Sequence, residues 1–232
     1  MTSGRTSAAS KRVVLVRILA IDLVLGVVFI AAWYLVFLRH NRRRAIDVLR
    51  WIERAFAGHG TVAGVQWLAA SRFRVRLKIP SGVFRHAVLV VQLMPREMPV
   101  NWLLTRIRRQ RETLTFEADL DYPPTFSLEV HNHRWVGKTA KRFPKRTQNW
   151  ETEYAGPFVL TTRTNWQREI TTMMNSLVAS RDCDCMRVRI RRDSPHFTAT
   201  VPLAAISPGS EAQSEIFDIF RELAMGASTS RF

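Results

Sequence analysis

Hydrophobic positions divide the chain into one unbroken run and a series of shorter periodic ones. The unbroken run is Ile18–Leu38, "ILAIDLVLGVVFIAAWYLVFL", whose single charge is Asp22. At 1.5 Å per residue it extends about 30 Å, the thickness of a bilayer core. It is longer than the apolar region of a cleaved signal peptide and leads into Arg39 rather than a small-residue cleavage site. The run therefore predicts an uncleaved, single-pass membrane anchor. Trp33 and Tyr34 near its C-terminal end suit the headgroup level, where amphipathic rings are favoured.

Past the anchor the apolar period changes. Ile46, Leu49, Ile52 and Phe56 recur every three or four residues, an amphipathic helix with no Pro or Gly between Ala45 and Ala57 to separate it from the anchor. Gly58 and Gly60 are expected to stop it. "RFRVRLKI" then alternates, with Phe73, Val75, Leu77 and Ile79 on one face and Arg72, Arg74, Arg76 and Lys78 on the other. "HAVLVVQLM" is nearly continuous and reads as a central strand. "NWLLTRIRRQ" after Pro99 reads as a short helix. "LTFEADLDY" alternates again, placing Glu117, Asp119 and Asp121 outward, and "FSLEVHNHRWV" returns as a strand after the Pro123–Pro124 turn.

"GKTAKRFPKR", Gly137–Arg146, has no acid and little periodicity and reads as an exposed loop. "ETEYAGPFVLTT" reads as one strand interrupted at Gly156–Pro157. Thr164-x-x-Gln167 is a capping box for a helix with a stripe of Trp166, Ile170, Met173, Met174 and Leu177. "MRVRIRR" and "HFTATVPL" form a hairpin-like pair around "DSP". Ser210-x-x-Gln213 opens a last helix with Ile216, Phe217, Phe220 and Leu223 on one side, which Gly226 is expected to end.

Strands in runs, not alternating with helices, predict an α+β domain whose antiparallel or mixed sheet holds about six to eight strands flanked by helices. The expected organisation is a basic tail (1–17), the transmembrane helix (18–38), a juxtamembrane stalk helix (39–58), a soluble domain (59–226) and a short tail (227–232). "GHGTVAG" is no nucleotide loop, because a helix precedes it and a strand-like stretch follows, the reverse of what a dinucleotide fingerprint requires.

Charge changes the picture mainly at the anchor. The net charge is +16, but residues 1–44 carry +7 of it and the remaining 188 residues only +9. The domain is moderately basic, which disfavours nucleic acid as partner despite the high isoelectric point. The span is flanked by Arg12 and Arg17 before it and by Arg39, Arg42, Arg43 and Arg44 after it. Counting outward to Arg5 and Arg54, four basic residues precede and six follow, which favours a cytoplasmic domain. Asp22 is the intramembrane polar residue. Its functional reading is a partner helix supplying a cation or donor; its plainer reading is a shallow site near Arg17.

Candidate chemistry is sparse. Arg134, Lys138, Lys141, Arg142, Lys145 and Arg146, interleaved with Trp135 and Phe143, form a candidate anion-binding loop for acidic lipid headgroups or RNA. The ladders Arg72–Lys78 and Arg187, Arg189, Arg191 read more plainly as solvated strand faces paired with the acidic ladder. His131, His133, Cys183 and Cys185 lack the spacing of a structural zinc site, so no metal is assigned. Cys183, flanked by Arg181 and Arg187, reads as an apolar filler rather than a reactive thiol. No Walker loop, Gly-x-Ser-x-Gly, His-Glu-x-x-His or Ser-x-x-Lys motif occurs, so no catalytic residue and no cofactor is assigned. The expectation is a membrane-anchored, non-enzymatic binding or scaffold module, with an anionic-surface binder using the basic loop and strand faces, or a membrane-tethered enzyme with an unidentified site, as the alternatives. It would meet the bilayer and a protein partner through its transmembrane helix or soluble domain. The pattern does not report the oligomeric state.

Overall fold

A computed structural model of the chain describes residues 4–80, 82–124, 126–132, 150–155, 158–163, 187–205 and 215–229. The expected loop 137–146, the expected middle helix from Thr164, both cysteines, His133 and the cap at Ser210 lie outside the described residues.

The apolar run and the amphipathic segment form a single helix, α1, Gly4–Ala55. Nothing in its interior breaks the backbone ladder, since its one internal glycine past the start, Gly26, has open space around it and ordinary helical geometry. Gly58 takes φ +97°, the left-handed conformation that terminates helices cheaply only at glycine. Gly60 then lets the chain pass close to the next strand pair. A Cβ there would stand 2.7 Å from the Lys78 carbonyl oxygen.

Among the described residues nine strands follow: β1 Thr61–Ala69, β2 Arg72–Lys78, β3 Phe84–Gln92, β4 Thr113–Leu120, β5 Leu128–Asn132, β6 Trp150–Ala155, β7 Phe158–Arg163, β8 Arg187–Ile190 and β9 Phe197–Pro202. The short helix α2, Pro99–Ile107, joins β3 to β4, and α3, Glu215–Thr229, closes the described chain. The strands make one sheet in the order β1-β2-β3-β4-β9-β8-β5-β7-β6, and every pairing is antiparallel. The fold is α+β, as the strand runs implied, and the sheet is antiparallel rather than mixed.

Three expectations change. "ETEYAGPFVLTT" is not one interrupted strand but two, β6 and β7, paired antiparallel from Trp150↔Arg163 to Ala155↔Phe158. A Gly-Pro pair reverses the chain more readily than it interrupts a strand. That hairpin raises the strand number to nine. Gly226 does not end α3, which runs on to Thr229 because Ala224 and Ala227 on its inner side keep packing against the sheet.

The sheet has one apolar and one polar face. Phe73, Val75, Leu89, Val91, Leu114, Phe116, Val188, Ile190, Phe197 and Ala199 line the apolar face, all buried. Among the described residues, two helices cover it. From α1 and the turn after it come Ala45, Val48, Trp51, Ile52, Ala55 and Phe56; from α3 come Phe217, Phe220, Leu223, Ala224 and Ala227. The second half of α1 is thus a core helix of the domain and not a free stalk. Aromatic rings knit α3 to the sheet: Phe220 stacks on Phe116 with centroids 5.5 Å apart and meets Phe197 and Phe217 at 6.0 Å each.

Phe220 is fully buried at the centre of this cluster. Phe220→Ala is expected to destabilise the fold by about 3–5 kcal/mol through lost transfer energy and the cavity left behind. Denaturant unfolding of the detergent-solubilised full chain, against wild type, measures it.

Candidate functional site

Two surfaces gather polar side chains that the sequence scatters. The first is the collar where α1 enters the domain. Trp33, Phe37, His40, Asn41 and Arg44 are spaced three or four residues apart and form one stripe on α1. That stripe docks on the chain between β3 and β4. Trp33 Nε1 donates to the Arg96 carbonyl at 3.0 Å. Asn41, 1% exposed, donates to the Met94 carbonyl at 3.3 Å and to Glu97 Oε2 at 3.0 Å. Arg96 meets His40 Nε2 and donates to Glu112 Oε1 at 3.4 Å, and Arg44 lies 3.9 Å from the other Glu112 oxygen. Trp33 also packs on Trp102 of α2, centroids 6.2 Å apart, and the Arg106 guanidinium stands over that Trp102 ring at 5.8 Å. Of the predicted basic flank, Arg44 is therefore tied into the domain, while Arg39, Arg42 and Arg43 form no ion pair among the described residues.

The second surface is the polar sheet face. The register aligns Arg76, Val88, Glu117, Thr198, Arg189 and Glu129 in one row across six strands. This corrects the expected pairing of basic and acidic ladders. Strand β3 separates β2 from β4, so Arg76 and Glu117 stand two strands apart, about 9–10 Å along the hydrogen-bond direction. Among the described residues, none of Arg72, Arg74, Arg76 and Lys78 forms an ion pair within 4.0 Å. Arg74 Nε is buried with no hydrogen-bond partner among them. Asp119 of the acidic ladder faces His196 at 3.9 Å instead.

Strand β1 forms the sheet edge beside this ladder. Its pairing with β2 is interrupted twice, between Val62 and Gly64 and between Trp67 and Ala69. Between those bulges Gly64 and Gln66 sit opposite Arg76 and Arg74, on the cationic face. Val65 and Trp67 sit opposite Val75 and Phe73, on the apolar face beyond the cover of the helices, and both are more than 40% exposed.

The other basic ladder is neutralised. Arg187 and Arg189 on β8 both donate to Glu129 Oε1 on β5, Arg189 at 3.0 Å, and His131 Nε2 lies 3.0 Å from the same oxygen. Burial opposes ionisation of Glu129, but the His131 hydrogen bond and the charges of Arg187, His131 and Arg191 outweigh it and hold its carboxyl below the ordinary glutamate range. His131 is thus engaged by a carboxylate. No cluster of three or more His, Cys, Asp or Glu with metal-binding proximity occurs among the described residues.

Asp22 lies on the exposed, apolar part of α1, with no ion pair among the described residues. Arg12 and Arg17 belong to the same helix. Arg134, Lys138, Lys141, Arg142, Lys145 and Arg146 lie outside the described residues. The collar residues Asn41, Arg96 and Glu112 and the edge residue Trp67 were not singled out by the sequence pattern. One signal was available: an Asn inside a basic run, on the buried stripe of an amphipathic helix, needs a polar partner. Compared with known proteins, the chain matches no family model and no curated protein.

A group ionising below its ordinary value stabilises the fold above that value and loses its contribution as pH falls through the lowered one. Glu129→Gln should therefore cost about 1–3 kcal/mol at neutral pH. The gap to wild type should close as pH falls below about 4. Thermal melts of both proteins at neutral and acid pH check this.

Proposed function

We propose that the chain is a single-pass membrane protein whose α+β domain lies in the cytoplasm and acts as a non-enzymatic binding module for an acidic protein partner. Support for the span comes from α1. The 18-residue apolar window in it has a mean hydropathy of 2.5 and is 0% buried, so its side chains are not accounted for by the domain core. Support for the cytoplasmic side is the basic count after the run.

The observation that carries the binding role is the cationic row Arg72, Arg74, Arg76 and Lys78. Its neighbours across the sheet are Val88, Val90 and Gln92, not carboxylates. Adjacent cations on one strand face repel, and desolvating Arg74 Nε without a partner costs free energy. An acidic segment laid along β2 would relieve both. The bulges of β1 limit strand addition at this edge, so recognition would run through side chains on the cationic face. A single-stranded nucleic acid would want aromatic rings among those cations. Trp67 is paired with Phe73 on the opposite face and does not supply one.

Two measurements test this. In membranes containing the full chain, a photo-crosslinker at Gln66 should capture an acidic protein, and the adduct should disappear in the Arg74→Glu, Arg76→Glu variant and at raised salt. An adduct indifferent to both changes sinks the reading. For the topology, a membrane-impermeant maleimide should modify Cys183 and Cys185 only after cells are lysed or the protein is denatured. An external cysteine control should label in intact cells. Labelling of intact cells would put the domain outside.

A further inference from the structure

Helix α2 carries its amphipathic pattern the wrong way round for a soluble protein. Val100, Leu103, Leu104 and Ile107 are 68%, 52%, 43% and 68% exposed, whereas Thr105 is the buried residue. At 100° per residue the four apolar side chains fall within an arc of about 100°, and Thr105 lies nearly opposite its centre. A helix packed on a water-facing surface turns such an arc inward. Here the inward side is occupied by Thr105, whose hydroxyl donates to the Asn101 carbonyl at 2.6 Å, and by Trp102 against Trp33.

The position of α2 explains the inversion. Trp33 lies five residues before Leu38, where the apolar run ends, so the Trp33–Trp102 contact falls about 7–8 Å inside that end. The exposed arc therefore lies at the level of the exposed apolar surface of α1. Amphipathic helices that lie in a bilayer interface bury their apolar face to about that depth. Arg106, Arg108 and Arg109 follow at the C-terminal end of α2, where cations meet anionic headgroups. Arg109 has φ 50°, a left-handed residue that turns the chain out of the helix and back to β4.

We infer that α2 is a second membrane contact, an interfacial foot whose face Val100, Leu103, Leu104 and Ile107 rests in the acyl-headgroup boundary of the leaflet that faces the domain. The inference rests on the reading that α1 spans the bilayer. Together the span and the foot hold the domain against the membrane at two points.

The test uses the full chain with Cys183→Ser and Cys185→Ser, carrying one environment-sensitive fluorophore. The label sits on cysteine at Leu103, at Val28 in mid-span, or at Gln66 on β1. Each protein is reconstituted in phosphatidylcholine–phosphatidylglycerol vesicles containing lipids spin-labelled at shallow or deep acyl positions. The Leu103 label should be quenched by the shallow lipid quencher, emit to the blue of the Gln66 label, and resist aqueous iodide. The Val28 label should respond to the deep quencher, and the Gln66 label to iodide alone. If the Val28 label responds to lipid quenchers and the Leu103 label only to iodide, the foot is overturned and the span stands. If neither label responds to lipid, the spanning reading falls as well. If the Leu103 label resists both iodide and lipid quenchers, a protein covers α2, a second copy or another chain, and the foot is again overturned.

Discussion

The sheet's apolar face is an obligation that α3 alone does not meet. Among the described residues, a fifteen-residue helix and the last turns of α1 together supply the helical side of the core against a nine-stranded sheet. The domain therefore depends on a helix that also carries an exposed, 18-residue apolar window. Trp51 and Ile52 are core residues in the same sense as Leu89 or Phe116, although they belong to the segment that leads out of the apolar run. The apolar run and part of the domain core are thereby one helix. No Pro or Gly loosens the junction, and the collar around Asn41 fastens it from the side.

This arrangement also fixes what the polar sheet face can do. With both helices on one side, the opposite face carries Arg72–Lys78, Glu117, Asp119 and the Glu129 cluster as its surface chemistry. The two basic ladders look alike in sequence but differ in environment. Arg187 and Arg189 share one carboxylate, while the β2 row has apolar or neutral neighbours on β3. Equal spacing of cations along a strand thus says nothing of their pairing, which is decided by the next strand over.

That distinction marks the limit of what the sequence could show. The continuous helix, the alternation in β2 and β4, the nearly unbroken apolar β3 and the stripe of α3 were all legible, because each is a period within a dozen residues. The strand order was not. Placing β9 and β8 between β4 and β5 joins residues far apart in the chain, and local periodicity carries no trace of that choice. The Glu129 site joins residues 58 and 60 positions apart, and the Asn41–Glu97 contact spans 56. The hairpin β6–β7 was hidden for a different reason: a Gly-Pro pair fits either a break in a strand or a reversal between two. The short helix α2 was legible as a helix, but its exposed side was not, since the same apolar arc suits a core or a membrane surface.

An unbroken helix also transmits rotation. Asp22 stands eleven residues before Trp33, three full turns and about 20° around the axis. The carboxylate therefore shares the azimuth of the collar and lies on the flank of α1 that carries α2. Inserting a single residue between them would swing that flank by about 100° and part the two features. The angular phase of α1 thus links the one charge in its apolar run to a particular side of the domain.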